Sequence, residues 1–185
     1  MTKIIKRILF VVVTLAAVGF IAYTLMKRNT KKHSPEATYS YFSGEQELIK
    51  VNYCRPAKKG REIFGGLVPF GKVWRTGANE ATTIELSADL LIGGKPLRKG
   101  RYTLWTLPGA GQWEVYINSQ MYPWGVDFDG NAQRDPAFDV AVISAPVIEL
   151  PEVTELFTIY GPEDGTALWI EWDRTRIALP LGTIN

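Results

Sequence analysis

The most constraining feature of this chain is a run of 19 residues without a charge, which extends from Ile8 to Met26. A helix of this length is long enough to cross the hydrocarbon core of a bilayer. In a soluble protein such a run would have to be buried on all sides, and a chain of 185 residues offers little room for that. We therefore predict an N-terminal membrane helix over residues 1–26.

Three kinds of N-terminal segment carry such a run: a cleaved signal peptide, a lipoprotein signal and a retained anchor. A cleaved signal has a shorter apolar region, about 7–15 residues, followed by small residues at the cleavage site. Here the run is longer and leads directly into Lys27 and Arg28. A lipoprotein signal needs a cysteine after the run, whereas the only cysteine of this chain is Cys54. The pattern favours a retained single-pass anchor that contacts the lipid bilayer through residues 8–26.

Positive charge is concentrated in the first 32 residues, which hold seven of the 21 lysines and arginines and none of the 19 acidic residues. The remainder of the chain therefore has 14 basic against 19 acidic residues. Because a nucleic-acid-binding domain needs its positive charge on the folded part, we predict no nucleic-acid partner. The two flanks of the apolar run carry nearly equal positive charge, so the positive-inside rule does not orient the helix.

From residue 47 onward, apolar and polar residues alternate in short runs rather than recurring at helical spacing. These runs are ELIKVNYC, ATTIELS, RYTLWTLP, QWEVYIN, FDVAVIS, ELFTIYG, ALWIEWD and RIALPL. They are rich in β-branched and aromatic residues, and turns containing glycine, proline or aspartate separate them. The pattern predicts an all-β domain over residues 47–185, with an antiparallel β-sandwich or jelly-roll-like fold. Residues 27–46 are basic and polar, and are predicted to form a juxtamembrane linker in which His33 is solvated.

Few side chains of this chain suit metal binding or nucleophilic catalysis. One cysteine and one histidine cannot build a zinc site within a single chain, and a Cys–His or Ser–His pair would depend on His33 in the linker. Residues 127–131 place oxygen ligands at positions 1, 3 and 5 of a calcium loop, but the loop's glycine at position 6 and glutamate at position 12 are missing. We therefore predict an acidic surface turn there, and no catalytic residue, metal or cofactor.

The segment between Arg55 and Gly77 has the composition of a loop, yet it holds several large apolar side chains, so we expect it to pack back onto the β domain. It also concentrates polar residues that a pure scaffold would not need. The candidate ligand- or partner-binding residues, which include one tryptophan from a later turn, are Arg55, Arg61, Lys72, Trp74, Arg75, Asn79, Glu80 and Trp124.

Two interpretations of these residues stay open. In the first, they line a ligand pocket where Arg75 and Arg61 grip a carboxylate or phosphate through paired N–H donors, and a tryptophan stacks on a ring. In the second, Arg75 and Glu80 form a buried ion pair and Asn79 caps a turn, which would hold an irregular loop against the strands.

A resemblance to a known family rests on the run KGREIFGGLVPFGKVWRTGANEAT, residues 59–82. This run resembles the defining stretch of DUF2911, a bacterial family of unknown function. The flanks agree with the family pattern: YCRP at residues 53–56, GRYTL at 100–104, and later the Pro108-Gly109 pair. The resemblance covers residues 47–180. It implies an exported or membrane-anchored β-rich domain and no particular activity, because none is established for the family.

Taken together, these features indicate a membrane-anchored, non-catalytic binding or accessory module, such as a subunit of a larger membrane protein complex. Its expected partners are the bilayer and other membrane proteins. The expected location is the bacterial inner membrane, crossed once, with the β domain in the periplasm as the resemblance implies. The alternative is an envelope hydrolase acting on a glycan or an ester, with Glu80 as acid or base and Arg75 tuning it.

Overall fold

The computed structural model describes residues 2–184, so Met1 and Asn185, the outer ends of the predicted ranges, lie outside the described residues. The chain divides into two compact units, one ending at His33 and the other beginning at Ser34. The first unit is one helix, α1 (Lys3–His33), and none of its residues is buried. Among the described residues it is the single helix that is long and apolar enough to cross a membrane. This length and composition suit a single-pass anchor or a signal sequence.

Helix α1 is longer than the predicted anchor, which ended at residue 26. It continues through Lys27 to His33, and Lys31, Lys32 and His33 occupy its last turn. Basic side chains at this end are favourable because they face the negative pole of the helix dipole.

The segment 27–46 is not the linker that we predicted. Its first part is the end of α1 and its second part is strand β1 (Glu36–Ser43), so only Ser34 and Pro35 separate helix from strand. Strand β1 pairs antiparallel with the next strand along its whole length. Its alternate residues Tyr39 and Tyr41 pack against the core, which is the period-2 pattern of a half-buried strand.

Within residues 2–184, nine strands form one antiparallel sheet in the order β1-β2-β3-β6-β7-β8-β9-β4-β5. The further strands are β2 (Gln46–Cys54), β3 (Thr83–Leu86), β4 (Leu90–Ile92), β5 (Lys95–Leu97), β6 (Gly100–Leu107), β7 (Gln112–Asn118), β8 (Asp139–Tyr160) and β9 (Ala167–Thr183). The predicted all-β class is confirmed. The finer assignment to a sandwich or jelly roll stays a prediction. Those folds pack two sheets face to face, whereas here the strands are joined into one continuous sheet.

Two long strands change partners along their length. Strand β8 pairs with β7 over residues 139–146 and with β9 over residues 147–160, with register shifts in the second half. Strand β9 then pairs with β4 through residues 181–183. Each long strand therefore belongs to two parts of the sheet, and inward residues from both parts, such as Ile143 and Phe157, contribute to the same core cluster.

The long segment after β2 packs back onto the sheet, as we predicted. Ile63 and Val68 are buried in the main core. The Trp74 backbone exchanges two hydrogen bonds with Thr106 of β6, at 2.7 and 3.0 Å. The Trp74 ring stacks on Trp172 of β9 with a centroid distance of 6.0 Å. Trp74 is therefore a partly buried residue that packs against the core, and its ring stacks on a protein side chain.

Candidate functional site

The segment Arg75–Thr82 is held in an unusual backbone conformation. Thr76 has φ of 55° and Asn79 has φ of 60°, both in the left-handed region. Threonine is β-branched and rarely adopts this conformation, so the surrounding structure must impose it. The Thr76 hydroxyl lies 3.0 Å from the hydroxyl of Thr106, and the Thr82 hydroxyl donates to the Thr76 carbonyl at 2.6 Å. These contacts are buried and fix the segment against β6.

Gly77 brings the same segment against the end of β2. Its φ is 142°, and a β-carbon built on it would lie 3.0 Å from the carbonyl oxygen of Cys54. Beside this approach, the Cys54 thiol donates to Glu80 Oε2 at 3.7 Å. The close approach therefore places a buried thiol next to a half-buried carboxylate.

Arg75 is the third polar member of this group. It is half-buried, and its Nη1 atom is buried without a hydrogen-bond partner. Burial lowers the pKa of Arg75 below its ordinary value, and the charges of Cys54 and Glu80 act in the opposite direction. We call Cys54, Arg75, Asn79 and Glu80 the motif cluster. Three of its members are predicted site residues, and Cys54 is not among the sequence-based candidates.

Asn79 and Arg55 hold the start of the β domain. The Asn79 side-chain amide donates to the Ser34 carbonyl at 3.2 Å, and the Arg55 backbone N–H donates to the Pro35 carbonyl at 2.8 Å. The Arg55 guanidinium binds β8, donating to the Phe157 carbonyl at 3.1 Å and through Nη2 to a threonine hydroxyl at 2.7 Å. Both side chains therefore bind protein groups, Asn79 at the point where the chain enters the β domain and Arg55 on β8.

The other predicted site residues lie elsewhere. Arg61 and Lys72 are exposed, and Arg61 donates to the carbonyl of Lys58 at 3.0 Å. Trp124 is half-buried, and its neighbour Gly125 packs against Ala81, which follows Glu80. The structure thus places Arg55 next to Cys54 of the motif cluster, brings Gly125, the neighbour of Trp124, against Ala81, and puts Arg61 and Lys72 on an exposed loop.

A second polar group, absent from the sequence-based candidates, joins β8 and β9. Glu171 is 7% exposed, and its carboxylate accepts hydrogen bonds from Tyr160 at 2.7 Å, from Arg176 Nε at 2.8 Å and from the Thr154 hydroxyl. Arg176 also donates to the Tyr160 hydroxyl at 2.8 Å, and its guanidinium lies 4.4 Å from the ring centroid of Trp169. We call this group the Glu171 network.

The charges of the Glu171 network stabilise each other. Burial alone would raise the pKa of Glu171, but hydrogen bonds from Thr154, Tyr160 and Arg176 outweigh it and hold the pKa below its ordinary value. Burial and the carboxylate raise the pKa of Tyr160. Burial alone would lower the pKa of Arg176, but the carboxylate raises it overall. A buried network whose members are hydrogen-bonded to one another is typical of a structural role.

A third group lies where residues 119–138 cover the end of β7. Asn118 is fully buried and donates to Asp139 Oδ1 at 2.8 Å, and Asp139 forms an ion pair with Arg134. The Arg134 guanidinium lies 3.8 Å from the ring centroid of Tyr116. Burial and the Glu114 carboxylate raise the pKa of Tyr116 to about 12. This group fixes the loop to the sheet.

The acidic run 127–131 forms an exposed turn. Asp127 Oδ1 accepts hydrogen bonds from the backbone N–H groups of Asp129 at 3.0 Å and Asn131 at 2.8 Å. These bonds hold the pKa of Asp127 below its ordinary value. Among residues 2–184, no group of three or more His, Cys, Asp and Glu side chains could hold a metal ion.

Comparison with known proteins gives one match over most of the chain. Residues 34–181 match the model of DUF2911, described as a protein of unknown function. The Gag-Pol polyprotein of gibbon ape leukemia virus is 31% identical over 135 residues, a match that covers 64% of this chain and 8% of the polyprotein. No solved structure matches the chain significantly. The family match begins at Ser34 and so includes β1 and the whole motif cluster, and the chain belongs to the DUF2911 family.

Proposed function

We propose that this protein is a membrane-anchored, non-catalytic accessory module, whose β domain docks other membrane proteins close to the bilayer surface. The observation that carries the proposal is helix α1, which is apolar along most of its 31 residues and has none of them buried. An apolar helix exposed on all sides is stable when lipid surrounds it.

The way the chain enters the β domain supports a retained anchor. Asn79 and Arg55 bind the backbone carbonyls of Ser34 and Pro35, directly after the last residue of α1. These bonds fix the first residues of the domain, and only Ser34 and Pro35 separate α1 from β1. A short junction confines the domain to the membrane surface, which raises its effective concentration toward membrane partners.

The side chains that a hydrolase would need at the motif cluster are engaged with the protein itself. The Arg55 guanidinium binds β8, Asn79 binds the Ser34 carbonyl, and the Glu80 carboxylate accepts from the Cys54 thiol. These contacts support the interpretation of the cluster as a structural clamp. We place the β domain in the periplasm, on the outer face of the bacterial inner membrane.

The anchor is tested by extracting membranes with alkaline carbonate and measuring the mass of the mature chain. We expect the full-length protein to stay in the membrane pellet with α1 intact. The control is a variant with Val12→Arg and Val18→Arg, because each arginine at the helix centre costs about 2.5–3.5 kcal/mol of insertion free energy. A mature chain that lacks α1 would identify a signal peptide and refute the anchor.

The accessory role is tested by isolating the full-length protein in several mild detergents and identifying what copurifies. We expect a stable partner that is itself a membrane protein. Recovery of a lone monomer in every detergent would refute the accessory role. A fusion of alkaline phosphatase to the C-terminus tests the compartment, and an inactive fusion would place the domain in the cytoplasm.

A further inference from the structure

We propose that the loop of residues 58–72 docks on the anionic headgroups of the bilayer that α1 crosses. We call this loop the basic loop. The inference rests on the proposed anchor, since it takes that bilayer as the surface available to the domain. The loop combines exposed apolar side chains with cations, the pairing that the interface of an anionic membrane binds.

Charge is distributed very unevenly in the β domain. Residues 55–75 hold six lysines and arginines and a single acid, Glu62, whereas the rest of the domain from residue 34 holds eight basic and 18 acidic residues. Within the basic loop, Lys58 pairs with Asp173. The exposed cations of the loop are Lys59, Arg61 and Lys72, of which Arg61 also donates to the backbone carbonyls of Lys58 and Ala57. An anionic surface is therefore attracted to this loop and repelled by the remainder of the domain.

Two large apolar side chains project from the same loop. Leu67 is 48% exposed and Phe70 is 46% exposed. Phe70 is two residues from Lys72, and both side chains are exposed, so the loop carries an apolar and a cationic group close together in sequence. In this arrangement an apolar side chain enters the headgroup region while the ammonium stays among the phosphates.

The basic loop has a fixed shape before it meets any partner. Ile63 and Val68 anchor it in the core, and the Val68 N–H donates to the Ile63 carbonyl at 2.8 Å. The Leu67 N–H donates to the Glu62 carbonyl at 3.1 Å. Because the backbone is already ordered, docking costs little conformational entropy.

The connection between the apolar run and the β domain is short in sequence. The apolar run ends at Met26, and helical residues 27–33 add about 10 Å beyond it at 1.5 Å per residue. Only Ser34 and Pro35 then lead to β1. A domain on so short a connection meets the membrane surface repeatedly, so weak contacts by the basic loop suffice for docking.

The test places one spin label at a time on the full-length protein in lipid nanodiscs and measures its collision rates with oxygen and with a polar nickel reagent. The labels are attached at Leu67→Cys in the basic loop, Val18→Cys in α1 and Phe128→Cys at the fully exposed tip of another loop. Wild-type protein is the labelling blank, because its one cysteine, Cys54, is buried. The nanodiscs hold phosphatidylcholine alone or with one third phosphatidylglycerol.

In nanodiscs with phosphatidylglycerol, we expect the Leu67 label to collide with the nickel reagent several-fold less often than the Phe128 label. This protection should be lost in phosphatidylcholine alone and after Lys72→Glu. It should survive Lys95→Glu, which makes the same charge change at an exposed lysine outside the loop.

The outcomes separate the docking from the anchor. A protected Val18 label with an unprotected Leu67 label in both lipids would overturn the docking and leave the anchor intact. Equal protection of the Leu67 label in both lipids would also overturn the docking, because the cations of the basic loop would then not contribute to membrane binding. An unprotected Val18 label would refute the anchor itself.

Discussion

The Glu171 network makes the sharpest prediction about stability. Replacing Arg176 by methionine keeps most of the side-chain volume and removes the cation. The Glu171 carboxylate, which is 7% exposed, would then keep the Tyr160 and Thr154 hydroxyls as donors but lose its charged partner. We expect the variant to fold with a markedly lower free energy of unfolding at neutral pH.

The size of this loss follows from the burial of the two partners. Removing one partner of a buried ion pair costs about 3–5 kcal/mol. The Arg176 side chain is 24% exposed, so water reaches the site and the lower end applies, about 3 kcal/mol. For a domain of this size, such a loss lowers the melting temperature by about 6–12 °C.

The pH dependence of stability should be weaker in the Arg176→Met variant than in wild type. In wild type the pKa of Glu171 lies below its ordinary value, so its contribution is present above about pH 4.3 and is lost as the pH falls through the folded-state pKa. Removing Arg176 takes away its hydrogen bond and its charge, which lower the pKa of Glu171, while the Thr154 and Tyr160 hydrogen bonds remain, so the pKa of Glu171 rises. The variant should therefore lose less stability than wild type as the pH falls from 7 to 4.

The assay is thermal unfolding of the full-length protein in mild detergent, followed by near-ultraviolet circular dichroism at pH 4 and pH 7. The control is Arg98→Met, since Arg98 is exposed. A second variant combines Glu171→Gln with Arg176→Met. It should recover most of the free energy of unfolding that Arg176→Met loses at pH 7. The reasoning fails if Arg176→Met costs under about 1 kcal/mol at pH 7, or if the double variant is no more stable than the single one.

Three further substitutions probe the motif cluster and the third polar group. Gly77→Ala forces a β-carbon to within 3.0 Å of the Cys54 carbonyl oxygen and should cost more in denaturant unfolding than Gly44→Ala, which also has positive φ but meets open space. Equal losses would contradict the close contact at Gly77. Arg75→Met should leave the free energy of unfolding within about 1 kcal/mol of wild type, because the guanidinium is desolvated and its Nη1 has no partner. A loss of several kcal/mol would instead support the interpretation in which Arg75 and Glu80 form a buried ion pair. Tyr116→Phe should remove a tyrosine ionisation near pH 12 from an absorbance titration at alkaline pH. Loss of an ionisation at the ordinary tyrosine value of about pH 10 instead would show that Tyr116 ionises normally.

The period-2 pattern predicted the β class because a half-buried strand alternates core-facing and solvent-facing residues, and this alternation is visible in neighbouring residues. The first and last residues of the strands were harder to predict from the sequence. FDVAVIS and ELFTIYG are parts of one 22-residue strand, β8, which changes its partner from β7 to β9 midway. Strand β1 was missed because it follows directly on a basic helix end, where the composition resembled a linker.

The candidate site illustrates a different limit. Arg55 and Asn79 stood out by residue type, but most of their partners are backbone carbonyls, those of Ser34, Pro35 and Phe157, which carry no side-chain signal. The Glu171 network was invisible for a related reason. Its charged members lie in strands whose pattern marks them as ordinary surface positions, and only the irregular pairing of β8 with β9 buries them together.

The sequence by itself determined the apolar helix and the β-rich domain, since both depend on hydrophobic length and periodicity along neighbouring residues. The tertiary structure alone decided which polar residues share an environment. Arg55 and the Phe157 carbonyl are 102 residues apart, and the Cys54 thiol and Glu80 are 26 apart. Burial and hydrogen bonding at such separations depend on how the sheet brings distant strands together, which no local pattern specifies.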